Sequence, residues 1–106
     1  MGETPNIRTV KQFALRVKKD FSDAQVFLFG SRAGNDFLLD SDFDVLVVSS
    51  KFEKIPFFRR TEKMYDYWKK PLLLEAFCYT PAEFLEKRRR IGFVAEALKK
   101  SVKITV

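Results

Sequence analysis

The spacing of apolar residues changes along the chain, and these changes predict its secondary structure. Apolar residues recur every three or four positions through residues 6–20, which predicts an amphipathic helix with one buried face. Two largely apolar runs follow, Ala24–Phe29 and Asp42–Ser49, and each is typical of a strand buried on both faces. The first half therefore predicts a helix and two central strands, with Gly30 ending the first strand.

The second half predicts two further strands and additional helices. Pro56 suits the first turn of a helix that ends before Pro71, and this helix carries a stripe expected to face the core or an interface. The stripe consists of Phe57, Thr61, Met64, Tyr65 and Trp68, and Phe58 is expected to pack similarly.

Leu72–Tyr79 predicts a third strand, and Thr80-Pro81-Ala82-Glu83 is a capping box that starts the next helix. Ile91–Lys100 predicts another helix, and Val102–Val106 alternates like an edge strand. We expect a single domain spanning residues 1–106. Its class is α+β (mixed α/β), with a small mixed sheet of three to four strands and helices mostly on one face.

Charge is distributed unevenly around a net value of +6. Residues 1–50 contain 6 basic and 7 acidic side chains, whereas residues 51–106 contain 14 basic and 7 acidic ones. An acidic focus in a chain with a basic second half suits a polyanionic substrate held through a metal ion. The alternative is a generally basic, solvated surface, and for the Arg88–Arg90 cluster we favour it.

The composition excludes several kinds of catalytic site. There is no histidine, which removes histidine acid–base chemistry, Ser-His-Asp and Cys-His nucleophile systems and the usual zinc sites. Cys78 is the single cysteine, so no internal disulfide forms, and we expect it to be a small core side chain. Any enzymatic chemistry must rest on carboxylates, whose natural companion is a hard cation such as Mg²⁺.

Three carboxylates form the candidate site. Asp42 and Asp44 stand two residues apart on a strand, so their side chains share one face at roughly 6–7 Å spacing along the backbone. No Lys or Arg occupies positions 41–50, which leaves a metal ion as the expected partner. Glu75 is the only charge in residues 71–81 and supplies a third carboxylate if its strand pairs beside the second. Gly30 and Ser31 end the first strand with a turn suited to phosphate binding.

Other interpretations of these acids exist. Asp40, Ser41 and Asp42 could form only a turn and a cap, and Glu75 could be a solvated strand charge. A calcium loop would place ligands at Asp40, Asp42 and Asp44. It fails because Val45 occupies the glycine position of that loop and Lys51 its final glutamate position.

The motif resembles that of a known family. Gly30-Ser31-Arg32-Ala33, followed twelve residues after Gly30 by Asp42-Phe43-Asp44, looks like the signature of minimal nucleotidyltransferases of the DNA polymerase beta superfamily. The segment 77–84 is similar to small archaeal and bacterial members. The resemblance implies a polymerase-beta-like fold that uses two Mg²⁺ ions and ATP or another NTP. The implied reaction transfers NMP to a hydroxyl and releases pyrophosphate.

The resemblance also implies roles for individual residues. Asp42, Asp44 and Glu75 would bind the metals, whereas Gly30, Ser31 and Arg32 would bind the nucleotide. The chain departs from the family in two places: Gly34-Asn35 stands where Arg-Gly is usual, and Glu75 stands where Asp is more common.

Such proteins often act beside a helical HEPN-type toxin, as an antitoxin that in some cases adds AMP to the toxin. We therefore expect a protein partner, with nucleic acid as the lesser choice, and a cytoplasmic location without a membrane span. A non-catalytic module that binds nucleotide, metal or partner is the alternative function. A basic nucleic-acid binder ranks third.

Overall fold

A computed structural model describes residues 3–34 and 37–106. Its four helices and four strands alternate irregularly along the chain. They are α1 (Pro5–Asp20), β1 (Gln25–Phe29), β2 (Phe43–Val48), α2 (Phe57–Met64), β3 (Leu74–Tyr79), α3 (Pro81–Arg89), α4 (Phe93–Lys99) and β4 (Val102–Ile104). Short 3₁₀ turns occupy Ser31–Ala33, Ser50–Lys54 and Tyr65–Tyr67. Within the described ranges, no helix has the length and apolarity needed to cross a bilayer.

The four strands form one mixed sheet in the order β3-β2-β1-β4. β1 is antiparallel to both β2 and β4, whereas β2 and β3 are parallel. The parallel pair requires a crossover, which α2 provides. The predicted α+β class with a mixed sheet is confirmed, and β4 lies at an edge as its alternating pattern predicts.

The helices cover both faces of the sheet, which differs from the expectation that they lie mostly on one. Val45 and Val47 pack in a large core cluster with Phe13 of α1. Leu46 and Val48 point to the opposite face and pack in a second cluster, with Phe84 of α3 and Val94 of α4. Apolar side chains of β2 point to both faces of the sheet, so each face must be covered. This explains why the helices are divided between the two faces.

In α2, Arg60 is buried although the predicted stripe does not include it, whereas Phe57 of the stripe is exposed. Phe57 is 60% exposed, whereas Arg60 is 5% exposed. The Arg60 guanidinium donates to the carbonyls of Ile55 and Cys78 and to Glu83 Oε1, at 3.0, 3.3 and 2.7 Å. These three acceptors satisfy the buried cation. Phe57 is exposed, so of the two placements expected for the stripe it does not take the one in the core.

The rest of the stripe is partly confirmed. Met64 and Trp68 are buried in the core, although a 3₁₀ turn separates them. Phe58 is 78% exposed, and Tyr65 is partly exposed with its hydroxyl accepting from the Leu74 N–H at 3.1 Å. Thr61 Oγ1 donates to the Ala76 carbonyl at 2.7 Å. Side chains of α2 and of the 3₁₀ turn that follows it thus form hydrogen bonds with backbone groups along the outer edge of β3.

Thr80→Ala tests the capping box at the start of α3. The Thr80 hydroxyl accepts from the Glu83 N–H at 3.2 Å, and Glu83 Oε1 accepts from the Thr80 N–H at 2.8 Å. We expect Thr80→Ala to lower the free energy of unfolding by about 1 kcal/mol, a fall in Tm of roughly 4–8 °C. Thr80→Ser, which keeps the hydroxyl, is the control. Equal Tm values for the two variants would contradict the assignment.

Candidate active site

Two of the three predicted carboxylates meet on neighbouring strands. The parallel register of β2 and β3 pairs Asp44 directly with Glu75. Paired residues of adjacent strands point to the same face, with backbones about 4.8 Å apart. The condition for a third carboxylate, that the strand carrying Glu75 pairs beside β2, is therefore met. Asp42 precedes β2 and is partly exposed, as is Asp44, whereas Glu75 is exposed.

The carboxylates affect one another electrostatically. Burial raises the pKa of Asp44 to about 6, and the charges of Glu75 and of Asp42 add to this rise. The charge on Asp42 therefore lies close enough to act on the Asp44 carboxyl, as strand alternation predicts. A bound cation would favour the ionised form of Asp44 and offset the repulsion among these acids.

Gly30 lies against Asp44 and needs to be glycine for two reasons. Phe29, the last residue of β1, pairs with Asp44, and Gly30 continues from there with φ +76° and ψ −161°. This backbone conformation is essentially restricted to glycine. A Cβ at Gly30 would lie 2.4 Å from Asp44 Oδ2, closer than a side chain tolerates. The missing side chain thus allows the Asp44 carboxylate to lie directly against the Gly30 backbone.

Gly30→Ala should damage both the fold and the site. We expect the variant to lose about 1–3 kcal/mol of unfolding free energy from backbone strain. The added methyl group also displaces the Asp44 carboxylate. Gly34→Ala is the matched control, because a Cβ there meets nothing within 4 Å and its φ of −106° suits any residue. Thermal melts of both variants test this, and similar Tm values would refute it.

Ser31 follows Gly30 and begins the short 3₁₀ turn Ser31–Ala33. Both Gly30 and Ser31 are exposed, so backbone and hydroxyl groups are accessible beside the carboxylates. Before β2, the chain forms a turn in which Ser41 Oγ accepts a hydrogen bond from the Leu38 N–H at 3.2 Å. The Ser41 N–H donates to the Leu38 carbonyl at 3.0 Å. Ser41, rather than Asp40 or Asp42, makes these turn hydrogen bonds.

Arg32 lies behind the site rather than in it. Its side chain is 5% exposed, and its guanidinium donates to Asn6 Oδ1 and to the carbonyls of Leu39 and Ser41. A buried guanidinium with these three acceptors does not face an incoming nucleotide. The nucleotide contact implied for Arg32 by the family resemblance therefore has no support in this geometry.

The two departures from the family motif have different outcomes. Gly34 has extended backbone and open space around it, so no neighbouring atom requires glycine there. Asn35 lies outside the described residues. Glu75 is exposed and opposite Asp44, so its longer side chain has room to extend toward a ligand.

An aromatic wall, which sequence reasoning did not single out, adjoins the carboxylates. Phe93, the first residue of α4, packs on Phe29 and Phe77 with ring centroids 5.6 and 4.7 Å apart. Phe29 pairs with Asp44, and Phe77 follows Glu75 by two residues on the same face of β3. The three rings lie beside the acids on this face. The chain is rich in Phe throughout, so no sequence signal distinguishes these three.

The remaining reactive side chain does not belong to the site. Cys78 is buried, as predicted, and burial raises the pKa of its thiol to about 12. The thiol therefore stays protonated and is a poor nucleophile at neutral pH. Among residues 3–34 and 37–106, no group of three or more acidic or cysteine side chains is already arranged to hold a metal ion.

Comparison with known proteins agrees with the motif and the fold. The family profile described as "nucleotidyltransferase domain" matches residues 10–104, which is most of the chain. The chain belongs to the nucleotidyltransferase family. No curated protein matches this nucleotidyltransferase at a significant level.

Among solved structures, the nucleotidyltransferase resembles a candidate nucleotidyltransferase from Sulfolobus solfataricus. The two chains are 22% identical with a TM-score of 0.62, and the match covers 97% of this chain and 89% of the other. At this identity the likeness establishes the fold. The membership of the family rests on the profile match, which includes Gly30, Ser31, Asp42, Asp44 and Glu75.

Proposed function

We propose that this nucleotidyltransferase transfers NMP from a divalent-metal complex of an NTP to a hydroxyl group of a partner protein. ATP is the expected donor, so that AMP is the group transferred. The observation that carries the proposal is the pairing of Asp44 with Glu75 beside the Gly30 turn. The family motif contributes Asp42, Asp44, the Ser31 hydroxyl and the Gly30 backbone, and Glu75 adds a carboxylate opposite Asp44 from β3.

The donor set fits a hard divalent cation. All three candidate ligands are carboxylates, which favours Mg²⁺ over softer metals. The raised pKa of Asp44 reflects burial and two neighbouring acids, a repulsion that a bound cation would offset, and the Gly30 backbone lies directly against its Oδ2. Asp42, Asp44 and Glu75 would hold two ions after side-chain adjustment. Bound metal would neutralise phosphate charge and orient the reacting groups.

The chain itself contributes positioning and charge. Gly30 and Ser31 would contact phosphate oxygens through backbone and hydroxyl groups. The acceptor hydroxyl releases its proton to solvent and its oxygen forms a bond to the α-phosphorus, while the bond from that phosphorus to the β-phosphate bridging oxygen breaks and pyrophosphate leaves. Glu75, exposed near the start of β3, would meet the acceptor hydroxyl.

The acceptor is expected to be a protein, such as a HEPN-type helical toxin that this chain would counteract as an antitoxin. Large apolar side chains at the surface, including Phe58 (78% exposed) and Ile91 (102%), provide area for protein contact. An RNA or DNA end is the less favoured acceptor.

Intact-mass measurement tests the proposed transfer. The product of the neighbouring gene is incubated with this chain, Mg²⁺ and each of the four NTPs in turn, and pyrophosphate release is followed in parallel. We expect the partner to gain the mass of one NMP, most readily with ATP, and to release an equal amount of pyrophosphate. No mass gain and no pyrophosphate with any NTP would contradict transfer to this partner.

A non-catalytic binding module is the second candidate. It is favoured by the absence of a preassembled three-carboxylate cluster in the described part of the chain and by glycine at position 34, where the family usually has arginine. In this case the chain would neutralise its partner by occlusion. Unchanged partner affinity after replacing both Asp42 and Asp44, without any mass gain in the wild-type reaction, would support occlusion over transfer.

A further inference from the structure

We infer that Arg32 is a positioning residue that fixes Asp42 relative to Asp44, rather than a nucleotide ligand. The inference rests on the proposed function for its effect on metal binding. Its structural part stands on contacts of the guanidinium alone. These contacts lie on both sides of Asp42 in the sequence.

The guanidinium binds the segment immediately before Asp42. Arg32 Nε donates to the Ser41 carbonyl at 3.1 Å, and Nη2 donates to the Leu39 carbonyl at 2.7 Å. The Ser41 carbonyl belongs to the peptide bond that continues into Asp42. Two fork-like donors of one rigid group thus hold the backbone at the point where it turns toward β2.

The same group also packs on the residue immediately after Asp42. The guanidinium carbon lies 4.4 Å from the centre of the Phe43 ring and 4.9 Å from that of Phe37. Phe43 stands between the two aspartates and is 2% exposed. Such cation–π contacts are strongest when desolvated, as here. Arg32 therefore contacts both sequence neighbours of Asp42.

Arg32 also binds α1, so it links this helix to the Asp42 segment. Arg32 Nη1 donates to Asn6 Oδ1 at 3.0 Å, and Asn6 Nδ2 donates to the Arg32 carbonyl at 3.2 Å. Asn6 is itself 5% exposed, in the first turn of α1. The reciprocal pair anchors the arginine to the helix, and the arginine in turn anchors the Asp42 segment. Lysine could not reproduce three bonds in this fixed geometry.

Arg60 offers a matched control. It is also 5% exposed, donates to three acceptors and stacks near aromatic rings. One of those acceptors, Cys78 O, lies three residues beyond Glu75 on β3, away from the carboxylates. Arg32→Lys and Arg60→Lys should therefore lower Tm to a similar degree while differing in their effect on the site.

The experiment measures amide hydrogen exchange, the binding of Mn²⁺ and of NTP, and the KM for NTP in the transfer reaction, for both variants and the wild type. Arg32→Lys should speed exchange of amides in residues 37–43, whereas Arg60→Lys should leave that segment protected as in the wild type. Mn²⁺, used without nucleotide as a spectroscopic probe of the metal site, should bind Arg32→Lys on the order of tenfold more weakly. Arg60→Lys should bind Mn²⁺ like the wild type.

Each other outcome has a definite meaning. Unchanged exchange in residues 37–43 of Arg32→Lys would overturn the link between α1 and the Asp42 segment. Faster exchange with unchanged Mn²⁺ affinity would overturn the positioning role. Unchanged Mn²⁺ affinity with a raised KM for NTP would instead indicate direct nucleotide contact. If the wild type binds neither Mn²⁺ nor nucleotide, the proposed function fails, and the exchange data still decide whether Arg32 holds the segment.

Discussion

Asp44→Asn should reduce the rate of nucleotide transfer by roughly 1,000-fold. Without this carboxylate the metal ions are held less well, and the free energy of the transition state rises by several kcal/mol. Asp44 lies opposite Glu75 and beside Gly30, at the centre of the candidate site. The change keeps the volume of the side chain and removes its negative charge. Pyrophosphate release with Mg²⁺, ATP and the partner is the measurement, and Asp42→Asn should behave similarly.

Asp40→Asn is the control for this prediction. Asp40 carries the same group two residues from Asp42, in the exposed turn before β2. Its replacement should leave the rate near that of the wild type. Comparable rates for Asp40→Asn and Asp44→Asn would remove Asp44 from the mechanism.

The same Asp44→Asn variant should be more stable than the wild type at pH 7.5 without metal. Burial and the charges of Glu75 and Asp42 raise the pKa of Asp44 from 3.8 to about 6 in the folded protein. Asp44 therefore favours folding most when protonated, and this contribution is lost as the pH rises through 6. Discounted for partial exposure, we expect the variant to gain about 1–2 kcal/mol, a rise in Tm of several degrees.

The pH dependence and two controls make this prediction specific. The difference between variant and wild type should shrink toward zero near pH 4. Asp23→Asn should show the opposite sign, because hydrogen bonds from Ser49 and Ser50 lower the pKa of the exposed Asp23 and outweigh a slight desolvation. Asp23 contributes stability above its unfolded pKa, and that stability is lost as the pH falls.

Added Mg²⁺ should raise the Tm of the wild type at pH 7.5 and leave that of Asp44→Asn nearly unchanged. The reason is that binding to the folded state alone stabilises it. An Asp44→Asn variant that is less stable than the wild type at pH 7.5 without metal would contradict the assigned electrostatics.

Sequence patterns predicted the sheet well, including the neighbouring strands that carry the candidate carboxylates. The continuous apolar run before Gly30 and the one after Asp42 form neighbouring central strands, because such runs are stable only when both faces are covered. The isolated charge at Glu75 indicated a strand position with a special role. Its register opposite Asp44 confirmed that the two acids are neighbours.

Side-chain direction was less predictable. Arg32, which the family resemblance assigns to the nucleotide, and Arg60, to which the sequence analysis gave no role, are both buried. Their acceptors include Asn6 and Glu83, which are 26 and 23 residues away, so no local pattern reveals these contacts. The distribution of the helices over both faces of the sheet was also not predicted. The apolar pattern of a helix shows that one of its sides is buried, but not which face of the sheet it packs against.

Calorimetric titration with a non-hydrolysable ATP analogue and Mg²⁺ tests the central claim most directly, since it needs no acceptor. We expect the wild type to bind the analogue only when Mg²⁺ is present, and Asp44→Asn to bind at least about tenfold more weakly. Asp40→Asn should match the wild type. Equal affinity of the wild type and Asp44→Asn for the analogue would contradict a metal–nucleotide site formed by Asp42, Asp44 and Glu75. Affinity that does not depend on Mg²⁺ would contradict it as well.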